Sequence, residues 1–443
     1  MTLRLWPTVN RERAAWGAVL VAAVLAASVH WLEDWRPASP DRLASFTFTV
    51  TSSQDGGPGS LREAILAADR APKRARITIA VPRISLTTGL PPLVNPEGVV
   101  IESPAGTEID GTQLTGPVVD IAAPGSLVSG LQLTRGGAGI VVRAAGVTIR
   151  SLSIRGSETG VLIGEGSDDV RIEASAFTSN GIGVHVVAPE GRTLLHNGHF
   201  TAQRLAAIWA VAAVAPSPSA PQIHIADSEF LEDAMGLVAI NVASRLERNA
   251  FQHQRSAAVH ASGGRTFIVG NRIQSGRGFG IYAERLQSGH ISGNEIARNC
   301  SGGMMLRDVG NTEVLANEVY QNGYGLVVME GPLVSPNNVT NNLIADQIGD
   351  GLLLIGASPI VSRNQILRNR KAGLRFSSLR GQSGSTRTSR PLLTDNIVRQ
   401  NGRDDTQVDQ FANDPPAASA QASDCSWRLG PPVIPTTLQA RTQ

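Results

Sequence analysis

The tetrapeptide GNRI at 270–273 returns as GNEI at 293–296 and ANEV at 316–319. A fixed interval of 22 or 23 residues is what a chain needs if it stacks similar coils, each too small to bury a face alone. The position two residues before each inward apolar residue extends the series. It reads Leu131, Leu152, Ser175, Gly198, Ser228, Asn249, Asn271, Asn294, Asn317, Asn341, Asn364 and Asp395. The steps are 21, 23, 23, 30, 21, 22, 23, 23, 24, 23 and 31 residues, and the two long ones contain the loop-like insertions AVAPSPSAPQ (213–222) and LRGQSGSTRTSRP (379–391).

Two short apolar patterns alternate within each unit. One is led by glycine, as in GIGVHV, FGIYAE, YGLVVM and DGLLLI; the other reads HISGNEI, EVLANEV or IVSRNQI. Both alternate with period two and neither has helical i, i+3, i+4 spacing. The recurrent Asn suits a stacked ladder at a tight turn, its amide satisfying the backbone of neighbouring coils. The pattern predicts an all-β chain, a single-stranded parallel β-helix of about 12 or more coils of 21–24 residues. Twelve coils at about 4.8 Å make a rod of roughly 58 Å.

On this rhythm the chain resembles the right-handed parallel β-helix proteins of the pectate-lyase-like superfamily, across roughly 46–402. FTVTSSQDGGPGSLREAILAAD (47–69) is similar to the opening of many secreted bacterial β-helix proteins, a strand followed by a GSLREAI helix. In that segment Ser60 is an N-cap with Glu63 three residues on, a capping box, and Leu61, Ala64, Ile65 and Ala68 form one apolar stripe. Such a helix would plug the first coil, whose open edge otherwise invites aggregation.

Before the coils, Arg11 and Arg13 precede 19 residues, Ala14 to Leu32, without Asp, Glu, Lys or Arg. As a helix they span about 28 Å, one hydrocarbon core, with Trp16 and Trp31 near the two interfaces. Two readings stand: an uncleaved inner-membrane anchor, or a signal peptide cut near Ala26 and Ser28. Either places the β-helix outside the cytoplasm, in the periplasm or secreted. The expected divisions are 1–36 cytoplasmic stub and anchor or signal peptide, 37–45 linker, 46–402 β-helix with its cap, and 403–443 a Pro/Ala-rich tail. Cys300 and Cys425, the two cysteines, are either one bridge or two free thiols. A formal net charge of +2 argues against a nucleic-acid partner.

Enzymes of the family work along one sheet, on outward residues stacked from coil to coil. In the glycine-led strands the first outward column runs through Val141, Leu162, Gly183, Trp209, Val238, His260, Tyr282, Met305, Val327, Leu353 and Arg375. The second runs through Arg143, Gly164, His185, Val211, Ile240, Ser262, Glu284, Arg307, Met329, Ile355 and Ser377. His260, Tyr282, Glu284 and Arg307 thus fall on adjacent coils. As a candidate catalytic set they could abstract a sugar-ring proton, with Tyr282 or His260 as base, and neutralise a uronate carboxylate with Arg307. The bland alternative is solvated side chains on an outer sheet. Trp209 is a candidate sugar platform with His185 beside it, unless it packs under 213–222. Val327, Met329, Leu353 and Ile355 make an apolar stripe that the tail, loop 379–391 or a partner protein must cover.

Signatures of the named activities are missing. SDDV (167–170) has the paired aspartates of polygalacturonase-like members but reads as a turn, without Gly-His-Gly or Arg-x-Lys. The Asp-Pro-His of mannuronan epimerases and the acidic calcium cluster of pectate lyases are absent from the sequence. His196, His199, His224, His253 and His290 are single, without metal spacing, and read as surface or turn residues. No metal site is expected, and no cofactor is indicated. The expectation is an anchored extracytoplasmic protein that binds, and as a lyase or epimerase modifies, an envelope or exported polysaccharide. The alternative is a non-catalytic scaffold docking another envelope protein through the apolar stripe.

Overall fold

A computed structural model describes residues 46–187, 189, 191–213, 222–330, 337–380, 386–402 and 405–409. It is a right-handed parallel β-helix. Each coil passes through three sheets, of 15, 14 and 13 strands, and consecutive coils pair in parallel. One coil shows the plan: Arg265–Val269 in the first sheet, Arg272–Gln274 in the second and Phe279–Glu284 in the third. A short antiparallel hairpin, Leu379–Arg380 with Thr386–Arg387, lies outside the three sheets, within the second insertion.

Alternation sends one set of side chains inward, and these make a continuous core along the coils. Within it, Phe177, Phe200, Phe230 and Phe251 stack with centroids 4.7, 5.0 and 4.4 Å apart. The leading glycines make room for this stack. A Cβ on Gly183 would lie 2.5 Å from the Ala207 carbonyl oxygen and 2.8 Å from the Phe200 ring.

The asparagines form the expected ladder between the first and second sheets. The backbone N–H of Asn249, Asn271 and Asn294 donates to the side-chain oxygen of Asn271, Asn294 and Asn317 at 2.9, 2.9 and 3.0 Å. Each side-chain amide donates back to the neighbouring coil, as Asn294 Nδ2 does to the Ile268 carbonyl at 2.8 Å. Two positions of the sequence series are off by one. Asn342 and Asn396 occupy the ladder, while Asn341 and Asp395 take the preceding left-handed position (φ 57 and 55). A second ladder, between the second and third sheets, was not anticipated: Asn180, Gln203, Asp233 and Gln254, then Asn299, Asn322, Gln347, Asn369 and Asn401.

Helix α1 (Leu61–Arg70) begins at Ser60, whose Oγ accepts from the Glu63 N–H at 3.2 Å. Its reciprocal partner is one residue earlier than in a standard capping box: Gly59 N–H donates to Glu63 Oε2 at 2.6 Å. Leu61, Ala64, Ile65 and Ala68 are buried in the common core. Asn95 Nδ2 closes the other end, donating to the carbonyls of Ala68 (2.7 Å) and Ala71 (3.1 Å). Among the described residues no helix is long and apolar enough to cross a membrane; segment 14–32 and tail 410–443 lie outside them. Cys300 is disulfide-bonded, and Cys425, the only other cysteine in the chain, also lies outside the described residues.

Candidate functional site

Pairing in the third sheet fixes which outward residues are neighbours. The observed first column runs Val141, Leu162, His185, Trp209, Val238, His260, Tyr282, Met305, Val327, Leu353 and Arg375. From Trp209 onward both columns are as the alternation predicts. At Ile182–Val187 the register differs by two: His185, not Gly183, stands beside Trp209. GIGVHV contains two glycines, and Gly183 is the one that faces the phenylalanine stack.

The outward face is closed along much of its length. Trp209 is 3% exposed and packs with Ile182, Ala206, Met235 and Val238. Its ring is therefore enclosed, which corrects its reading as an open sugar platform. His185 is half-buried, and burial holds its pKa below the usual value. Val327, Met329, Leu353 and Ile355 are at most 5% exposed and cluster with Tyr282, Met305 and Tyr324, with Leu379 packed against them.

Between these two apolar clusters lies a polar one. Strands Val259–Ser262, Phe279–Glu284 and Gly302–Arg307 are adjacent, with His260 opposite Tyr282 and Glu284 opposite Arg307. All four residues singled out in the sequence are thereby brought together. The His260 ring meets Tyr282 edge-on, centroids 5.1 Å apart at 88°, and its Nε2 is 4.0 Å from Glu284 Oε1. His260 is 1% exposed and neither ring nitrogen has a hydrogen-bond partner. Burial pushes its pKa down, against the opposing pull of Glu284, so the imidazole is neutral at pH 7. The Tyr282 phenol is pushed up, first by burial and then by Glu284, and stays protonated. Arg307 is exposed at the rim, opposite Glu284, and its charge opposes the rise of the Tyr282 pKa.

Sequence reasoning missed two members of this cluster. Arg285 Nη2 donates to Glu284 Oε1 at 2.7 Å, and Ser262 Oγ lies 3.5 Å from the same oxygen. Arg285 leaves the strand in the left-handed region (φ 48), which turns it back over Glu284; period-two alternation says nothing about a residue past the strand end.

Elsewhere, SDDV leads through a bend at Asp169 into the strand Val170–Glu173: Asp168 Oδ1 accepts from the Arg192 N–H at 2.8 Å and Asp169 pairs with Arg171 at 3.2 Å. His224 corrects its reading as a surface residue. It is 4% exposed and 3.2 Å from Glu247, a carboxylate also held by Arg245. Among the described residues no group of three or more His, Cys, Asp or Glu could hold a metal.

Residues 213–359 match the family described as right handed beta helix region. Similar solved structures include the catalytic domain of a GH87 α-1,3-glucanase in complex with nigerose, at 13% identity over 85% of this chain and 69% of that one (TM-score 0.39). Another is the A-module of the Azotobacter vinelandii mannuronan C-5 epimerase AlgE6, at 15% identity over 83% and 100% (TM-score 0.48). A third is tailspike protein 3 of bacteriophage CBA120, at 13% identity over 78% and 58% (TM-score 0.49). No curated protein matches the chain.

Proposed function

We propose that this right-handed β-helix protein is held at the outer face of the inner membrane by residues 14–32. There it binds an envelope or exported polysaccharide and modifies it by proton transfer at the His260–Tyr282–Glu284–Arg307 cluster. One observation carries the reading: a nine-tenths buried imidazole with both nitrogens unpaired, set against a phenol and a carboxylate beneath an exposed guanidinium. Buried polar atoms are nearly always hydrogen-bonded, so an orphaned one needs a reason. A neutral imidazole with lowered pKa is a competent base near neutral pH. The protonated Tyr282 supplies a donor, and Arg307 meets a uronate carboxylate and stabilises charge spreading from the attacked carbon. In this arrangement the His260 nitrogens are sealed, so substrate reaches them only when the covering side chains part.

Burial of Val327, Met329, Leu353 and Ile355 supports this reading over a scaffold. A stripe offered to an envelope partner would be open in the isolated chain, and this one is closed.

The test uses the full chain with a panel of acidic and neutral bacterial glycans, followed for binding and for ultraviolet absorbance of unsaturated sugar products. Isotope exchange at the sugar ring reports an epimerase. Arg307→Ala should weaken binding about tenfold, and His260→Ala should abolish turnover while leaving binding. Absence of any glycan binding would sink the reading, and so would binding and turnover indifferent to both substitutions.

A further inference from the structure

The turn after each second-sheet strand repeats three roles: a left-handed residue, a buried ladder residue, then an outward one. The left-handed positions include Glu232 (φ 57) and His253 (φ 60), and the buried ones Gln203, Asp233 and Gln254. The outward column is Arg204, Ala234, Arg255 and Arg277. Its stacking is fixed by the N–H groups of Ala234, Arg255 and Arg277, which donate to the carbonyls of Gln203, Asp233 and Gln254 at 3.0, 2.9 and 2.8 Å. Neighbouring members are thus one coil, about 4.8 Å, apart. Where Ala234 breaks the row, a cleft of about 600 Å³ opens, lined among others by Arg204, Glu232, His253, Arg255 and Arg277. Arg255 reaches across the gap, its Nη2 donating to the Gln203 carbonyl at 2.7 Å, which fixes its guanidinium.

The lining carries three guanidinium groups, of Arg204, Arg255 and Arg277, and one carboxylate, of Glu232; this favours an anion, and Arg forks match carboxylates in geometry as well as charge. The cleft crosses four coils, along the stacking direction, so its ligand extends the same way. No Phe, Tyr or Trp is among its lining residues, so it lacks the broad stacking platform of a single-stranded nucleic-acid site. The chain's net charge of +2 points the same way.

We propose that this cleft is a second glycan subsite, specific for acidic polysaccharide: Arg204, Arg255 and Arg277 take successive carboxylates of one strand laid across the coils, and Glu232 accepts from sugar hydroxyls. The inference rests on the reading that the protein's ligand is a uronate-bearing glycan, and adds a second place where that glycan is gripped.

The experiment is binding of the full chain to polygalacturonate, dextran and single-stranded DNA. It compares the parent with the double variant Arg255→Ser/Arg277→Ser, with Arg307→Ala, and with Arg272→Ser as an exposed control on the second sheet. The inference expects polygalacturonate to bind in preference to dextran and DNA. The double variant should lose at least tenfold in affinity, with a shallower salt dependence, and the control should match the parent. Polygalacturonate binding lost in Arg307→Ala but intact in the double variant would overturn this subsite and leave the proposed function standing. Dextran or DNA bound as tightly as polygalacturonate would overturn it as well. No binding to either glycan, with folding confirmed by far-ultraviolet circular dichroism, would bring down both readings.

Discussion

At the scale of single residues, the ladders carry the sharpest consequences. Asn294 sits 1% exposed, accepting from and donating to both neighbouring coils. Asn294→Ala would leave the Asn271 N–H and the Ile268 carbonyl unpaired in the interior, at about 2–4 kcal/mol. A lowered denaturant midpoint measures it, and an unchanged one would refute the ladder's energetic role. Asp233 is the exception in the second ladder. Its Oδ1 accepts from the Gln203 N–H at 2.8 Å, but Oδ2 has no partner, and burial pushes its pKa up to about 7. The folded state therefore holds this proton more tightly than the unfolded chain, where the pKa is ~3.9. Its contribution to stability is full below about pH 4 and is lost as pH rises through about 7. Asp233→Asn keeps the acceptor and adds a donor of the kind Gln203 Nε2 offers the Phe177 carbonyl at 2.7 Å. The variant should match the parent at pH 4 and exceed it at pH 8 by on the order of 4 kcal/mol. Denaturant melts at the two pH values decide; parallel behaviour of parent and variant would refute it. Asn342 shows a limit of sequence reading at this scale. In NN at 341–342 both residues suit a turn, and only pairing with Asn317 and Asn364 picks the ladder member.

At the scale of strands and turns, the phenylalanine stack and the leading glycines form one device. Phe200 lies between Phe177 and Phe230 at 4.7 and 5.0 Å, so Phe200→Ala opens a cavity that neighbours in regular coils cannot collapse into. A loss of about 3–5 kcal/mol is expected, read as a lower melting temperature; a change under about 1 kcal/mol would show that the coils relax. The same device explains the register of Ile182–Val187. Alternation alone permits either Gly181 or Gly183 as the leading glycine, and the Phe200 ring admits only Gly183. The shift leaves Val184 inward and His185 outward, but it turns Gly183 to the phenylalanine stack and Ile182 to the Trp209 cluster, and moves His185 next to Trp209. α1 was legible because its signals are local: the Ser60 cap, Glu63 and the four-residue stripe lie within nine positions. Arg285 in the candidate site was not, because its role depends on a left-handed turn that redirects it over Glu284.

For the whole molecule, the two ends of the coil stack differ. The N-terminal coils bury the stripe of α1, whereas the last described strands expose Leu392 (61%), Leu393 (42%) and Ile397 (47%). An open strand edge with exposed apolar residues invites pairing with another chain. The double variant Leu392→Lys/Ile397→Lys should reduce self-association in sedimentation velocity without lowering the melting temperature; parent protein that is monomeric at high concentration would refute this. The repeat interval, the inward residues outside Ile182–Val187, the first ladder apart from Asn342 and Asn396, the capped helix and the meeting of His260, Tyr282, Glu284 and Arg307 were determined by the sequence itself, because a stacked coil makes period and alternation equivalent to position in space. The tertiary structure alone decided which outward residues meet water. Trp209, His260 and Val327 are outward by alternation yet buried, the last with Leu379, the first residue of the second insertion, packed against its cluster. Arg204, Arg255 and Arg277 line one cleft, with Ala234 between Arg204 and Arg255 in the outward column. Cover of this kind comes from chain that is distant in sequence, and no local period encodes it.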